Sequence, residues 1–108
     1  MRDDLLEVEV TCPDTDSARE IARAAVDARL AACGNIIGGV ESVYRWQGAV
    51  ESAPEVLLRL KARDGVFDAL AALIVQRHPY DQPAIVALSV RAAGPGTEEW
   101  LRSETERD

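Results

Sequence analysis

The sequence predicts an α+β protein of the ferredoxin-like type, in which one antiparallel sheet carries both of its main helices on a single face. Three observations predict it. Periodic patterns follow one another in the order β-α-β-β-α-β, and a short helix is added at the end. The two middle strands form one long hairpin between Ala31 and Lys61. No internal repeat and no linker interrupt the 108 residues, so we expect a single domain over residues 1–108.

The first strand and the first helix follow from local patterns. Residues 6–10 alternate between apolar and acidic side chains, which is typical of a strand buried on one face only. A helix is predicted from about Thr15 to Ala32, because small apolar residues recur there at three- and four-residue spacing. Asp14 is one candidate for its N-cap, and a capping box that begins at Ser17 is the other.

The second half of the chain repeats this arrangement. Asp64 is predicted to cap a second helix, which ends near His78 because Pro79 disfavours helical backbone in the residue before it. Residues 84–90 form a nearly continuous apolar run, which predicts a strand that is central or covered on both faces. Thr97 is predicted to cap the short final helix.

The hairpin is too long for one small domain. Gln47-Gly48 is its turn, since glycine accepts positive φ, and Gly38-Gly39 is interpreted as a bend or bulge. About thirty residues of ribbon exceed two ordinary strands of ~5–6 residues, so the ribbon should project beyond the core. We therefore predict a homo-oligomer with Tyr44, Trp46 and Trp100 packed between subunits. Stacking of these rings on a ligand is the alternative.

Composition excludes several classes of partner. The net charge of −7 and the pI near 4.7 argue against nucleic-acid binding, which requires clustered Lys and Arg. No apolar run approaches ~18 residues and no signal-peptide pattern opens the chain, so we expect a cytoplasmic protein that does not bind membranes. In that compartment both cysteines are expected to be reduced.

The sequence contains few residues of the types that bind metals or act in catalysis. Cys12, Cys33 and His78 lack the spacing and number of a structural zinc site, which uses four ligands. The cysteines are interpreted as packing residues, and His78 is either a helix C-cap or a ligand or acid–base group. No nucleophile with an adjacent base is evident, so we expect neither an enzyme nor an organic cofactor.

A small polar pocket is predicted where strand ends meet a helix terminus. Lys61 and Arg63 end the third strand and are expected to lie near the loop at residues 78–83, which contains Tyr80. Asn35 and Cys33 are assigned to the same pocket. A solvated strand end is the alternative interpretation.

Five segments together resemble a known family: Thr11-Cys12-Pro13-Asp14, residues 30–36, Tyr44-Arg45-Trp46-Gln47-Gly48, residues 55–61, and His78-Pro79-Tyr80-Asp81-Gln82-Pro83. With them the chain resembles the CutA divalent-cation tolerance proteins, from about Val8 to Leu101. The resemblance implies a ferredoxin-like protomer in a tight, PII-like homotrimer whose hairpins pair between subunits. It also implies a role in tolerance of copper and other divalent metals.

Five positions depart from the family pattern: Ala62 and Thr97 replace a usual threonine and tyrosine, and three others concern a possible metal or ligand site. Val10 stands where some members have a cysteine linked to copper, Arg77 where they have a second histidine, and Ala84 where an acidic residue is usual. His78 remains, with the carboxylates of Asp81 and Glu51 as the candidate contact set for a weakly or transiently bound divalent cation. The alternative function is a PII-like sensor or adaptor that holds a small anionic ligand in an inter-subunit cleft through Lys61, Arg63 and Tyr80.

Overall fold

A computed structural model describes residues 3–107. Its elements are β1 (Leu5–Cys12), α1 (Thr15–Asp27), β2 (Cys33–Trp46), β3 (Ala49–Arg63), α2 (Asp64–Arg77), β4 (Ile85–Ser89) and α3 (Thr97–Glu104). The strands form one antiparallel sheet in the order β2-β3-β1-β4. This confirms the predicted α+β, ferredoxin-like order with a helix added at the end.

The core lies between α1, α2 and one face of the sheet. Alternate side chains of a strand share a face, and the side turned to the helices is formed by even-numbered residues of β1 and of the inner part of β3: Leu6, Val8, Val10, Cys12, Val56, Leu58, Leu60 and Ala62. Small residues bring α1 close to the sheet. A Cβ at position 34 would lie 3.0 Å from Leu60 Cδ2 and 3.1 Å from Ala22 Cβ, so any larger residue than Gly34 would have to push these side chains away by a few tenths of an ångström.

Helix α1 begins as predicted and ends earlier. Asp14 is its N-cap, with the carboxylate accepting the Ser17 N–H at 2.8 Å. The helix stops well before the predicted Ala32, because Arg29 takes a left-handed backbone with φ of 60°. The N–H groups of Arg29 and Leu30 bond to carbonyls in the last turn and close the helix. Glycine usually marks this position, so its absence hid the boundary.

The predicted caps of the other two helices are wrong. The N-cap of α2 is Arg63, and the carboxylate of Asp64 instead accepts the backbone N–H of Asp4 at 3.0 Å. The N-cap of α3 is Gly96, with φ of 81°, and Thr97 is the first helical residue. In both cases the cap lies one residue earlier than the sequence pattern indicated.

The outer part of the hairpin, residues 40–54, projects from the domain and is called the arm below. Gln47 and Gly48 form its turn with φ of 49° and 82°, which confirms the predicted turn. The molecule measures 43 × 26 × 25 Å, and its radius of gyration of 14.4 Å exceeds the ~13 Å expected for a compact domain of this length. The arm accounts for the elongation.

A bulge at Gly38-Gly39 decides which way the arm's side chains point. The pairing of β2 with β3 shifts between Ile37 and Val40, and Gly39 has φ of 77°. The extra residues keep Ile37 and Val40 on the same side of the ribbon. As a result, Tyr44 and Trp46 continue the sheet face turned away from the helices, which we call the open face.

The predicted environment of the last strand is wrong for the single chain. β4 is an edge strand, and Val86 and Leu88 on its open face are 52% and 49% exposed. The apolar composition of residues 84–90 does match that of a covered strand. The described part of this chain, however, supplies no element that covers it.

Gln47→Asn is expected to stabilise the hairpin by about 0.5 kcal/mol, because asparagine tolerates the left-handed backbone at this position better than glutamine. Urea unfolding at fixed protein concentration measures the change. Gly48→Ala is the matched control and should destabilise by about 1 kcal/mol, since glycine alone takes its φ of 82° without strain. A destabilised Gln47→Asn variant would contradict this account of the turn.

Candidate functional site

The loop at residues 78–83 is fastened to the end of β1 by His78. This side chain is 7% exposed, and its Nε2 lies 2.8 Å from the carbonyl oxygen of Thr11. Its Nδ1 accepts the backbone N–H of Tyr80 at 3.0 Å. Nδ1 is therefore the unprotonated nitrogen and Nε2 donates to Thr11, which fixes the neutral tautomer. A metal ion at His78 would have to displace one of these two bonds.

Tyr80 reaches from the same loop to the base of the arm. Its O–H donates to Glu55 Oε2 at 2.7 Å, and Glu55 is only 9% exposed. Burial and the adjacent Glu55 carboxylate raise the pKa of Tyr80 to about 12, so the phenol stays protonated and remains a donor. No role was assigned to Glu55 from the sequence. The signal that could have found it is an acidic residue placed directly before the apolar residues 56–58.

Cys12 lies behind this pair in the core. Its side chain is fully buried, and burial, followed by the charges of Glu55 and Asp14, raises the pKa of the thiol to about 11. The thiolate is the form that binds metals and acts as a nucleophile, and it is scarce at neutral pH here. The interpretation of Cys12 as a packing residue is confirmed.

Three members of the predicted ligand pocket do lie together. Lys61 Nζ is 3.3 Å from Asn35 Oδ1, and Cys33 is the cross-strand partner of Lys61. The group is at the β2–β3 pair and is partly open to solvent. It presents one ammonium group beside an amide and a thiol.

The predicted proximity of Lys61 and Arg63 to the loop at residues 78–83 is wrong, because Tyr80 of that loop contacts Glu55, six residues from Lys61 along β3, or roughly 20 Å at strand rise. Arg63 donates to Thr105 Oγ1 at 2.9 Å, to the Thr105 carbonyl at 2.6 Å and to Asp3 at 2.9 Å, which fastens α3 to the sheet. Tyr80 contacts Glu55, eight residues away along β3, or roughly 26 Å at strand rise. Arg63 and Tyr80 therefore lie at opposite ends of the sheet and cannot share one small ligand within a chain.

The open face combines a charged centre with exposed apolar side chains. Arg59 Nε lies 3.0 Å from Glu9 and 3.4 Å from Glu7. Leu101 of α3 is buried, and the neighbouring Trp100 is not. The exposed large side chains of this face and of α3 are Ile37, Tyr44, Trp46, Val86, Leu88 and Trp100. All three aromatic residues assigned to an interface are thus available for one.

The carboxylates assigned to a metal site are at the surface. Asp81 is exposed in its loop, and Glu51 is exposed on the arm opposite Tyr44. Across residues 3–107, no group of three or more His, Cys, Asp or Glu side chains is placed to hold a metal ion. The described residues of a single copy therefore do not bring His78, Asp81 and Glu51 together as one ligand set.

Residues 6–104 match the family model for the CutA1 divalent ion tolerance protein. The chain belongs to the CutA1 family. This CutA1 chain is 43% identical over 96 residues to the divalent-cation tolerance protein CutA of Thermus thermophilus, a match that covers 89% of this chain and 93% of that protein. It is 40% identical to mouse Protein CutA over 97 residues, and this match covers 90% of the present chain. The matched part is 55% of the mouse protein, so the chain spans about half of that relative's length.

Solved CutA1 structures share the fold. The Thermus thermophilus structure has a TM-score of 0.92 at 41% identity and covers 94% of this chain and 99% of its own. CutA1 from Oryza sativa has a TM-score of 0.92 at 35% identity, and the match covers 97% of this chain and 96% of the rice chain. The family resemblance inferred from the motifs is confirmed.

Cellular location stays a prediction. None of the helices in the described residues combines the length and apolar character needed to cross a bilayer. Relatives carry names that place a rice protein in the chloroplast and an Archaeoglobus fulgidus protein in the periplasm. Location therefore varies among the relatives.

Proposed function

We propose that this CutA1 chain is a non-enzymatic, cytoplasmic, homotrimeric protein of divalent-cation tolerance. It binds copper or another divalent ion weakly, at ligands contributed by more than one copy. Family membership supports the relation to divalent cations. The lack of a three-ligand group in the described residues supports weak binding that is completed only between copies.

The observation that carries the proposal is the exposed apolar surface of the open face. Tyr44 and Trp46 are 40% and 58% exposed, and Val86 and Leu88 of β4 lie on the same face. Exposed apolar side chains at the arm and at β4, on either side of the charged centre of Arg59, Glu7 and Glu9, mark a protein–protein interface. A second copy is the simplest cover for it, because the arm and β4 belong to every copy.

The directions of the edge strands suit a closed ring. β2 and β4 are the two edges of the sheet and run in opposite directions. The β2 edge of one copy can therefore pair antiparallel with the β4 edge of the next. Such a contact joins two different surfaces, and repeating it generates a cyclic assembly when the rotation closes. We propose a ring of three, as in PII-like proteins.

Two observations favour this function over the alternatives. The Cys12 thiol stays protonated, and both nitrogens of His78 are engaged, so neither is an activated catalytic group. A PII-like site for an anion would retain Lys61 and Asn35, but Arg63 is committed to Thr105 and Asp3. The anion-sensor alternative is left with a single cationic group.

Calorimetric titration with Cu²⁺ and Zn²⁺ tests the metal role. We expect weak, saturable binding to the assembled protein and at least about tenfold weaker binding to Ala87→Pro, the single-copy variant described in the Discussion. Ala87→Ser is the matched control and should bind as the wild type does. Absence of binding to the assembled wild type would remove the metal role, and equal binding to Ala87→Pro would remove the shared site.

A further inference from the structure

Glu55 is a buried carboxylate with an incomplete set of partners. It is 9% exposed, and Oε2 accepts the Tyr80 O–H at 2.7 Å. Within residues 3–107, Oε1 has no hydrogen-bond partner and no Arg, Lys or His side chain pairs with the carboxylate. A carboxylate can accept about four hydrogen bonds, and this one receives a single neutral donor.

Burying this carboxylate with one hydrogen-bond partner costs free energy unless a further group binds to it. Buried charges in proteins are normally paired with an opposite charge or bound to an ion. No fully buried side-chain oxygen or nitrogen in the described residues lacks a partner. Since Oε1 has none, it must keep an opening to the surface. The opening makes the carboxylate reachable from solvent while most of it is shielded from water.

The groups around the carboxylate do not suit a metal ion. The Tyr80 O–H is bonded to Glu55 itself, and the Cys12 side chain is fully buried in the core. The His78 nitrogens are bonded to Thr11 and to the Tyr80 backbone. One carboxylate therefore stands without a second anionic or imidazole ligand.

An organic cation requires fewer protein ligands than a metal ion does. A guanidinium or ammonium group requires one carboxylate and gains from aromatic faces beside it. Tyr80 is 41% exposed, and Tyr44 lies on the same side of the ribbon as Glu55. The phenol of Tyr44 is close enough to Tyr80 to act on it electrostatically. In a single copy, two partly exposed tyrosines thus flank the approach to the carboxylate.

We propose that Glu55 anchors a binding site for an organic cation, a guanidinium or a primary ammonium group, at the base of the arm. The cation donates to Glu55 Oε1 and lies beside the rings of Tyr80 and Tyr44. This site is independent of the proposed metal role, because it uses neither Asp81 nor Glu51 and needs no metal ligand.

Agmatine, which carries both cationic groups, is the probe. Titration of the wild type, followed by calorimetry and by NMR shifts of the Glu55 and Tyr80 amides, should show saturable binding. Glu55→Gln should weaken it at least about tenfold. Glu41→Gln removes the same charge from an exposed position on the other side of the arm and should leave binding unchanged. Equal weakening in both variants would show general attraction to an acidic protein and overturn the site.

A second variant keeps the test valid if Glu55→Gln misfolds. Tyr80→Phe removes the one hydrogen bond to the carboxylate and keeps the ring, so agmatine should raise its melting temperature more than that of the wild type. Sodium chloride at matched ionic strength is the reference. A smaller rise in Tyr80→Phe than in wild type would count against the proposal, as would Mg²⁺ binding that depends on Glu55 and excludes agmatine.

The cation has two possible sources, a free small molecule or an arginine of a neighbouring copy. The same titration on Ala87→Pro separates them. Equal agmatine affinity in the single copy and in the assembly indicates a free ligand. Tighter binding in the single copy indicates that a neighbour's guanidinium occupies the site in the assembly. No binding to either protein would overturn the site altogether.

Discussion

Ala87→Pro is expected to convert the assembled protein into single copies of 11.7 kDa. The N–H of Val90 donates to the Leu5 carbonyl at 2.9 Å, and antiparallel strands alternate between inward and outward groups. The N–H of Ala87 therefore points away from β1, at the free edge of the sheet. Proline removes this donor and places its ring where a neighbouring strand would pair.

The fold of the single chain should survive this change. Ala87 is exposed, and the hydrogen bonds between β4 and β1 are made by its neighbours. Multi-angle light scattering gives the mass, and circular dichroism checks the secondary structure. Ala87→Ser keeps the N–H and should stay assembled. An unchanged mass for Ala87→Pro would exclude β4 as the pairing edge, and a folded, single-copy wild type would exclude the assembly itself.

His78→Ala is expected to destabilise the protein by about 3–4 kcal/mol. The change removes two hydrogen bonds, leaves the Thr11 carbonyl and the Tyr80 N–H without their partner, and opens a cavity the size of the ring. It also releases the loop that carries Tyr80, so the hydrogen bond to Glu55 should weaken.

Urea unfolding at equal protein concentration measures this loss, since assembly makes the apparent stability concentration-dependent. Val75→Ala is the control, because Val75 is half exposed in the last turn of α2, just before His78, and its truncation should cost well under 1 kcal/mol. If His78→Ala unfolded within about 0.5 kcal/mol of the wild type, His78 would not be the fastening of this loop.

Local patterns predicted the order of the elements and the hairpin turn. Asp14 caps α1 through a residue three positions away, and Gln47-Gly48 closes a turn between adjacent residues. The same kind of signal failed at Arg29, where a left-handed residue other than glycine ends the helix. Strain at such a position is held by contacts made elsewhere, which a local pattern does not contain.

The candidate sites depended on contacts between distant residues. Tyr80 and Glu55 are 25 residues apart, and His78 and Thr11 are 67 apart. Strand register determines both of these contacts, and it also places Arg63 far from the loop at residues 78–83. Apolar content alone could not show whether β4 is covered by this chain or by a neighbour.

The sequence by itself determined the class of fold, the family and a ribbon longer than its own domain, because periodicity, turn chemistry and motif spacing are properties of neighbouring residues. Only the tertiary structure decided that Glu55 is buried beside Tyr80, that both nitrogens of His78 are engaged and that β4 is an open edge. Those facts arise from register and packing between segments far apart in the chain, where small shifts exchange one partner for another.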